Sequence, residues 1–132
     1  MARFDFQKLD VYKIATDFVC LSDEIIKQLP RGNSHISDQL ARAASSIMLN
    51  IAEGAGEFSN SDKARFYRYA KRSATECAAM LDVCRNLRLT NMENYNKGEE
   101  LLDRVFAMMV RMTRRYEKPD ADADAYRAAY NS

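Results

Sequence analysis

The sequence predicts an all-α fold, a single-domain, antiparallel up-down-up-down four-helix bundle. Three observations carry that prediction. Four segments repeat apolar residues at the helical interval of three and four, and none alternates as a strand would. Only 4 Gly and 2 Pro stand among 132 residues, too few turn-formers for an all-β chain. The breaks between the periodic segments are short, about three to six residues, which folds each long helix back along the one before it.

The first helix is expected from about Lys8 to Leu29, with Val11, Ala15, Phe18, Ile25 and Leu29 facing inward and Pro30 and Gly32 stopping it. The second is expected from about Ser34 to Glu53, with Ile36, Leu40, Ala43, Ala44, Ile47 and Ile51 on its inner face. Gly54 and Gly56 should end it, because glycine tolerates the left-handed cap. The third helix starts behind an N-cap at Ser59 and ends near Leu89, with a stripe of Phe66, Tyr69, Ala70, Cys77, Met80, Leu81 and Cys84. The fourth opens on the capping-box pattern Thr90-Asn91-Met92-Glu93 and runs to about Tyr116, placing Leu102, Val105, Met109, Met112 and Tyr116 inside. The bundle therefore takes residues 1–118. Residues 119–132, PDADADAYRAAYNS, alternate small and acidic side chains with little to bury and read as a mobile acidic tail.

Composition excludes several classes of function. Lys and Arg total 20 against 19 Asp and Glu, so this is no histone-like polycation. Hydrophobic residues at 47% and charged residues at 30% exclude wholesale disorder. No apolar run approaches the ~20 residues of a membrane span, and MARFDFQKLD lacks the apolar core of a signal peptide. A cytoplasmic protein without membrane contact is expected. Three cysteines, an odd number, imply no disulfide framework. Cys77 and Cys84 lie ~10 Å apart along a helix, too far for a disulfide or a shared metal. One histidine, His35 at a loop-to-helix junction, leaves a zinc site little to draw on. All three cysteines are expected in the core. No catalytic residue, metal or cofactor is expected. Gly54-Ala55-Gly56 follows a helix and lacks the ending of a phosphate loop, while Glu53 and Glu76, weighed as an acid–base pair, come with no nucleophile.

Two surfaces carry more than a bundle needs. Tyr12, Val19 and Ile26 form a second apolar stripe on helix one, and Met48 and Leu49 fall outside the main face of helix two, which predicts self-association. Gln39, Arg42, Ser46, Asn50 and Glu53 lie within about 80° of one another on helix two. Ser73 sits inside the stripe of helix three, with Glu76 at its edge. A hydrogen-bonded seam is expected between these helices, with Arg42 paired to Glu76 or Glu53, because a desolvated charge needs a partner.

Charge is balanced overall but not along the chain. Residues 1–58 hold 6 basic and 8 acidic residues, net −2, whereas residues 59–118 hold 13 and 8, net +5. Arg65, Arg68 and Arg72 project within about 60° of each other on helix three. Lys97, Arg104, Arg111, Arg115 and Lys118 line a face of helix four, with Arg114 beside them. Arg111, Arg114 and Arg115 have no acid three or four residues upstream, so local pairing does not neutralise them. A solvated face with pairs such as Arg72–Glu76 and Glu100–Arg104 is the alternative. No aromatic stacking is evident, so nucleic-acid contact here would be phosphate-led and weakly sequence-specific.

Three motifs carry a resemblance: Leu9-Asp10-Val11-Tyr12-Lys13-Ile14-Ala15, Gln39-Leu40-x-Arg42-Ala43-Ala44-x-Ser46-Ile47, and Asn50-Ile51-Ala52-Glu53-Gly54. With Phe66, Ala70, Ser73 and Glu76 they are similar to a family of bacterial four-helix-bundle proteins first noticed in intervening sequences of large-subunit ribosomal RNA genes. The similarity covers about residues 6–116. The chain departs from the pattern at Ala41, often Arg, near Met48, often Pro, and at Arg72, commonly Gly. The resemblance implies a cytosolic, non-enzymatic homopentamer. A related branch serves diversity-generating retroelements as a basic, barrel-like pentamer that binds nucleic acid and a reverse transcriptase. The stretch Thr75-Glu76-Cys77-Ala78-Ala79-Met80-Leu81 suits either branch. The leading expectation is thus an oligomeric scaffold associated with RNA or DNA. The other is a protein-binding adaptor, docking for example a reverse transcriptase, with no direct nucleic-acid contact.

Overall fold

The computed structural model describes residues 4–117; Lys118 and the expected tail lie outside them. A short 3-10 turn at Asp5–Lys8 leads into α1 (Asp10–Lys27), α2 (Ser34–Gly56), α3 (Asn60–Asn86) and α4 (Met92–Tyr116). No strand occurs among the described residues. α1 starts later than expected because Leu9 is extended (φ −69°, ψ 132°) and separates it from the turn. It also stops at Lys27, short of Leu29, the residue that Pro30 biases away from helical geometry.

α2 runs past its expected end at Glu53 through Gly54, Ala55 and Gly56. Neither glycine supplies a left-handed cap; among the described glycines only Gly32 has positive φ, at +93°. Gly54 has a packing role instead. A Cβ there would lie 2.5 Å from Tyr67 Cε1, so its bare backbone lets the α3 tyrosine in. Lys63 Nζ donates to Gly54 O (3.3 Å) and Ala55 O (3.1 Å), satisfying carbonyls that the helix end leaves open.

The cap of α3 is as expected: Ser59 Oγ accepts from Asp62 N at 3.1 Å. Its far end comes at Asn86, before Leu89. Arg88 takes φ 57°, its N–H donates to Arg85 O (3.0 Å), and Leu89 N–H donates to Cys84 O (2.7 Å). These two bonds make a Schellman closure with arginine in the position glycine usually holds. The α4 cap is displaced by one residue from the sequence expectation. Asn91, not Thr90, accepts from Asn94 N (2.7 Å), while Thr90 Oγ1 is buried without a hydrogen-bond partner.

Each helix packs on two others, in the ring α1–α2–α3–α4–α1, and no diagonal pair of helix backbones approaches as closely. Gln39 meets Glu76, Ser46 meets Ser73 and Gly54 meets Tyr67, so α2 and α3 run in opposite directions. The pairs Leu81 with Gly98 and Arg68 with Glu117 set the same relation between α3 and α4. Phe18, Ile25, Leu40, Ile47, Ile51, Leu81, Val105 and Met109 are fully buried between them.

The inner stripe of α3 differs from the expected one. Tyr67 is buried (2% exposed), Phe66 is half-buried and Tyr69 is 38% exposed, because the gap at Gly54 admits the ring at position 67. Cys77 and Cys84 are buried, but Cys20 lies exposed on the outer side of α1, against expectation. Tyr12, Val19, Ile26 and Met48 pack half-buried against the rim of the core, and Leu49 is exposed. Among the described residues no helix is long and apolar enough to cross a membrane, and no group of three or more His, Cys, Asp or Glu is placed to hold a metal.

Candidate nucleic-acid interface

The opposed run of α3 and α4 puts the start of one beside the end of the other. Arg65 and Arg68 therefore share an end of the bundle with Arg111, Arg114 and Arg115, while Arg72 stands at the middle of α3; all six are exposed. Glu117, directly after α4, ties the two elements together through Arg68 Nη1 at 3.3 Å. Arg104 stands two turns back from Arg111, ~10 Å along α4, towards the middle of the bundle.

The arginines differ in how far they are already neutralised. Arg65 Nη2 lies 3.4 Å from Asp62 and Arg68 is held by Glu117, in exposed pairs of small stabilising value. The Arg72–Glu76 and Glu100–Arg104 pairs of the alternative, solvated-face reading are not formed among the described residues. Arg72 lies instead 5.8 Å from the Tyr69 ring centroid. Lys97, by contrast, is paired to Glu93 at 3.2 Å. Arg104, Arg111, Arg114 and Arg115 make no ion pair with a described residue. Arginines also lie over rings at 5.0 Å (Arg65 on Phe66) and 5.7 Å (Arg115 on Tyr116), so aromatic groups are interleaved with the basic face. Sequence reading missed this because none of these rings sits in a recognisable stacking motif.

The polar seam is built differently from its expected form. Ser46 Oγ and Ser73 Oγ share a hydrogen bond at 2.8 Å, and Asn50 Nδ2 donates to Ser46 O (2.8 Å) and Ser46 Oγ (2.9 Å). Gln39 Nε2, and not Arg42, meets Glu76 Oε1, at 3.3 Å. Arg42 is exposed and its Nε donates to Asp38 O within its own helix (3.4 Å), so no desolvated charge requires a carboxylate. Glu53 is exposed and outside these bonds.

A second α3–α4 tie was not anticipated. Tyr95 Oη lies 2.8 Å from Asp82 Oδ1 and 2.6 Å from Glu99 Oε1, and Arg85 Nη1 donates to it at 3.5 Å. The Glu99 hydrogen bond, then that to Asp82, pushes the phenol up to about 12.

The family described as 23S rRNA-intervening sequence protein matches residues 7–111. The chain belongs to that family. No curated protein matches it. In this intervening-sequence protein the matched span takes in Arg65, Arg68, Arg72, Arg104 and Arg111 and all seven seam residues, whereas Arg114 and Arg115 lie beyond it.

Proposed function

We propose that this intervening-sequence protein is a non-enzymatic, cytoplasmic scaffold that assembles as a homopentamer and binds RNA or DNA through phosphate-led contacts. One observation carries the nucleic-acid part: Arg111, Arg114 and Arg115 are exposed, without an ion pair to a described residue, at the bundle end that also holds Arg65 and Arg68, with Arg72 further along α3. Unpaired guanidiniums are the groups for which a phosphate oxygen replaces water at least cost. Repetition around a ring would multiply the local field. The family name links these proteins to ribosomal RNA, and RNA is the first ligand to test.

Binding of a single-stranded RNA should weaken with salt, each phosphate contact adding about −0.7 to the slope of log affinity against log salt. Changing Arg111, Arg114 and Arg115 together to Gln should flatten that slope by about 2 and leave helicity unchanged. The matching change of Arg65, Arg68 and Arg72 should have a smaller effect, since two of those three already face carboxylates. Wild-type protein that retains neither RNA nor DNA at ~50 mM salt, where electrostatic contacts are strong, defeats this reading.

That result would promote the adaptor reading, in which the chain docks a protein such as a reverse transcriptase. Phe58 between α2 and α3 (102% exposed) and Leu49 (66%) favour it, since large apolar side chains on a surface suit a protein partner.

A further inference from the structure

A cavity of about 330 Å³ opens where the N-terminal turn, the end of α2, the first turns of α3 and the last turn of α4 converge. Phe6, Tyr67 and Tyr116 line it, drawn from two separate aromatic groups. Phe6 belongs to the first, its centroid 5.8 Å from Phe4 and 5.0 Å from Tyr12. Tyr67 and Tyr116 form the second, 5.8 Å apart. Among the described residues no ring contact joins Phe6 to either tyrosine, so both groups border one space without closing it.

The polar groups of this cavity are mainly donors. Lys63 Nζ uses two N–H groups on the α2 carbonyls and keeps a third. Arg115 makes no ion pair with a described residue, and both cations lie 5.7 Å from the Tyr116 ring. Tyr67 is 2% exposed, yet its hydroxyl makes no hydrogen bond to a described residue. The hydroxyl is not among the buried groups left without a partner; it keeps accessible surface and can donate to an acceptor in the cavity that Tyr67 lines. Burial, with Tyr116 close by, pushes its ionisation up to about 12, so it stays protonated at neutral pH. The one carboxylate among the described residues of the cavity, Asp5, faces Lys8 at 3.9 Å.

We infer that this cavity binds one unstacked nucleotide unit, its base between the two aromatic groups and its phosphate at Lys63 and Arg115, with the Tyr67 hydroxyl donating a hydrogen bond. The combination narrows the ligand class. A bare inorganic anion would leave the rings unused, and a neutral aromatic molecule would leave both cations unused. The cavity is at the small end of ligand sites, about 300–1,000 Å³, which suits one nucleotide and no longer stretch. The unit comes either as a free nucleotide or as a residue of a single strand. In the second case the site deepens the nucleic-acid reading above, adding a stacked base to a phosphate-led face.

The test is calorimetric titration of the full chain at low salt with AMP, inorganic phosphate and a short oligoadenylate. AMP should bind at least about tenfold more tightly than phosphate, the difference that stacking one base supplies. Phe6→Leu and Tyr116→Leu should each weaken AMP about tenfold. Tyr67→Phe keeps the ring and removes the donor, so it should weaken AMP a few-fold with an unchanged melting temperature. The double variant Arg111→Gln with Arg114→Gln touches neither ring group and should weaken only the oligonucleotide.

Equal binding of phosphate and AMP overturns the inference, leaving a plain anion site. So does the absence of AMP binding together with oligonucleotide affinity that Phe6→Leu and Tyr116→Leu do not alter; in that case the basic-face reading stands and the cavity falls. AMP binding without oligonucleotide binding keeps the cavity and removes the basic face. Oligonucleotide binding alone, lost in Tyr116→Leu and Phe6→Leu, assigns the site to a strand-borne nucleotide.

Discussion

Cys77 is fully buried on the inner side of α3, and burial, with the neighbouring Glu76 charge adding to it, pushes its thiol up to about 12. An unfolded cysteine ionises near 9.0. Below that pH both states hold the proton and the stabilising burial of the neutral thiol is complete. From pH 9 to about 12 the unfolded chain releases a proton that the folded chain keeps, so stability falls as pH rises. The slope is about 1.4 kcal/mol per pH unit for this one group. Urea midpoints at pH 8 and 10.5 should show the loss, and Cys77→Ala should reduce it; equal midpoints for the wild type at both pH values would contradict the burial. Residue identity was a good guide to Cys77 and Cys84 and a poor one to Cys20, because one step around α1 separates the core from solvent. In the seam, serine and asparagine spacing was legible as polar groups turned towards a neighbour. The partner of Glu76 was not, since a long, exposed Arg42 can satisfy its donors on its own helix while the shorter Gln39 reaches across.

Helices were legible in the interior and less so at their ends. Amphipathic periodicity is repeated many times along each helix, whereas an end is decided by one or two groups, some of them on another element. α2 illustrates the second case: its glycines look like a stop, but Tyr67 and Lys63 of α3 turn them into a packed, hydrogen-bonded final turn. Three aromatic residues at 66, 67 and 69 offered competing stripes, and only the neighbouring Gly54 selects among them. The turn that closes α3 holds Arg88 in the left-handed region, a conformation that costs an L-residue about 1–2 kcal/mol. Arg88→Gly should therefore stabilise the protein by about 1 kcal/mol, offset in part by the greater freedom of glycine in the unfolded chain. A melting temperature that rises by a few degrees checks it; a fall would mean that the Arg88 side chain contributes more than its backbone costs.

At the scale of the whole molecule, the class of the fold followed from period and loop length together. The basic end was visible in sequence as unpaired arginines, but the cavity beside it was not, because its walls come from four separate parts of the chain. Assembly is the property that the bundle's outer surface bears on most directly. Tyr12, Val19, Ile26 and Met48 are only half-buried within one chain, and covering them would remove further apolar surface from water. Light scattering after gel filtration should return about five times 15.1 kDa for the proposed ring. A monomer at micromolar concentration rejects association, and a dimer or tetramer rejects the ring. The ring order of the helices has a kinetic consequence. Three of the four helix–helix interfaces join elements adjacent in sequence, and only the α1–α4 interface spans the chain. Such a low contact order belongs to chains that fold in about microseconds to milliseconds. The hairpins α1–α2, α2–α3 and α3–α4 can zip locally, leaving the docking of α1 on α4 as the one interface that needs a long loop closure.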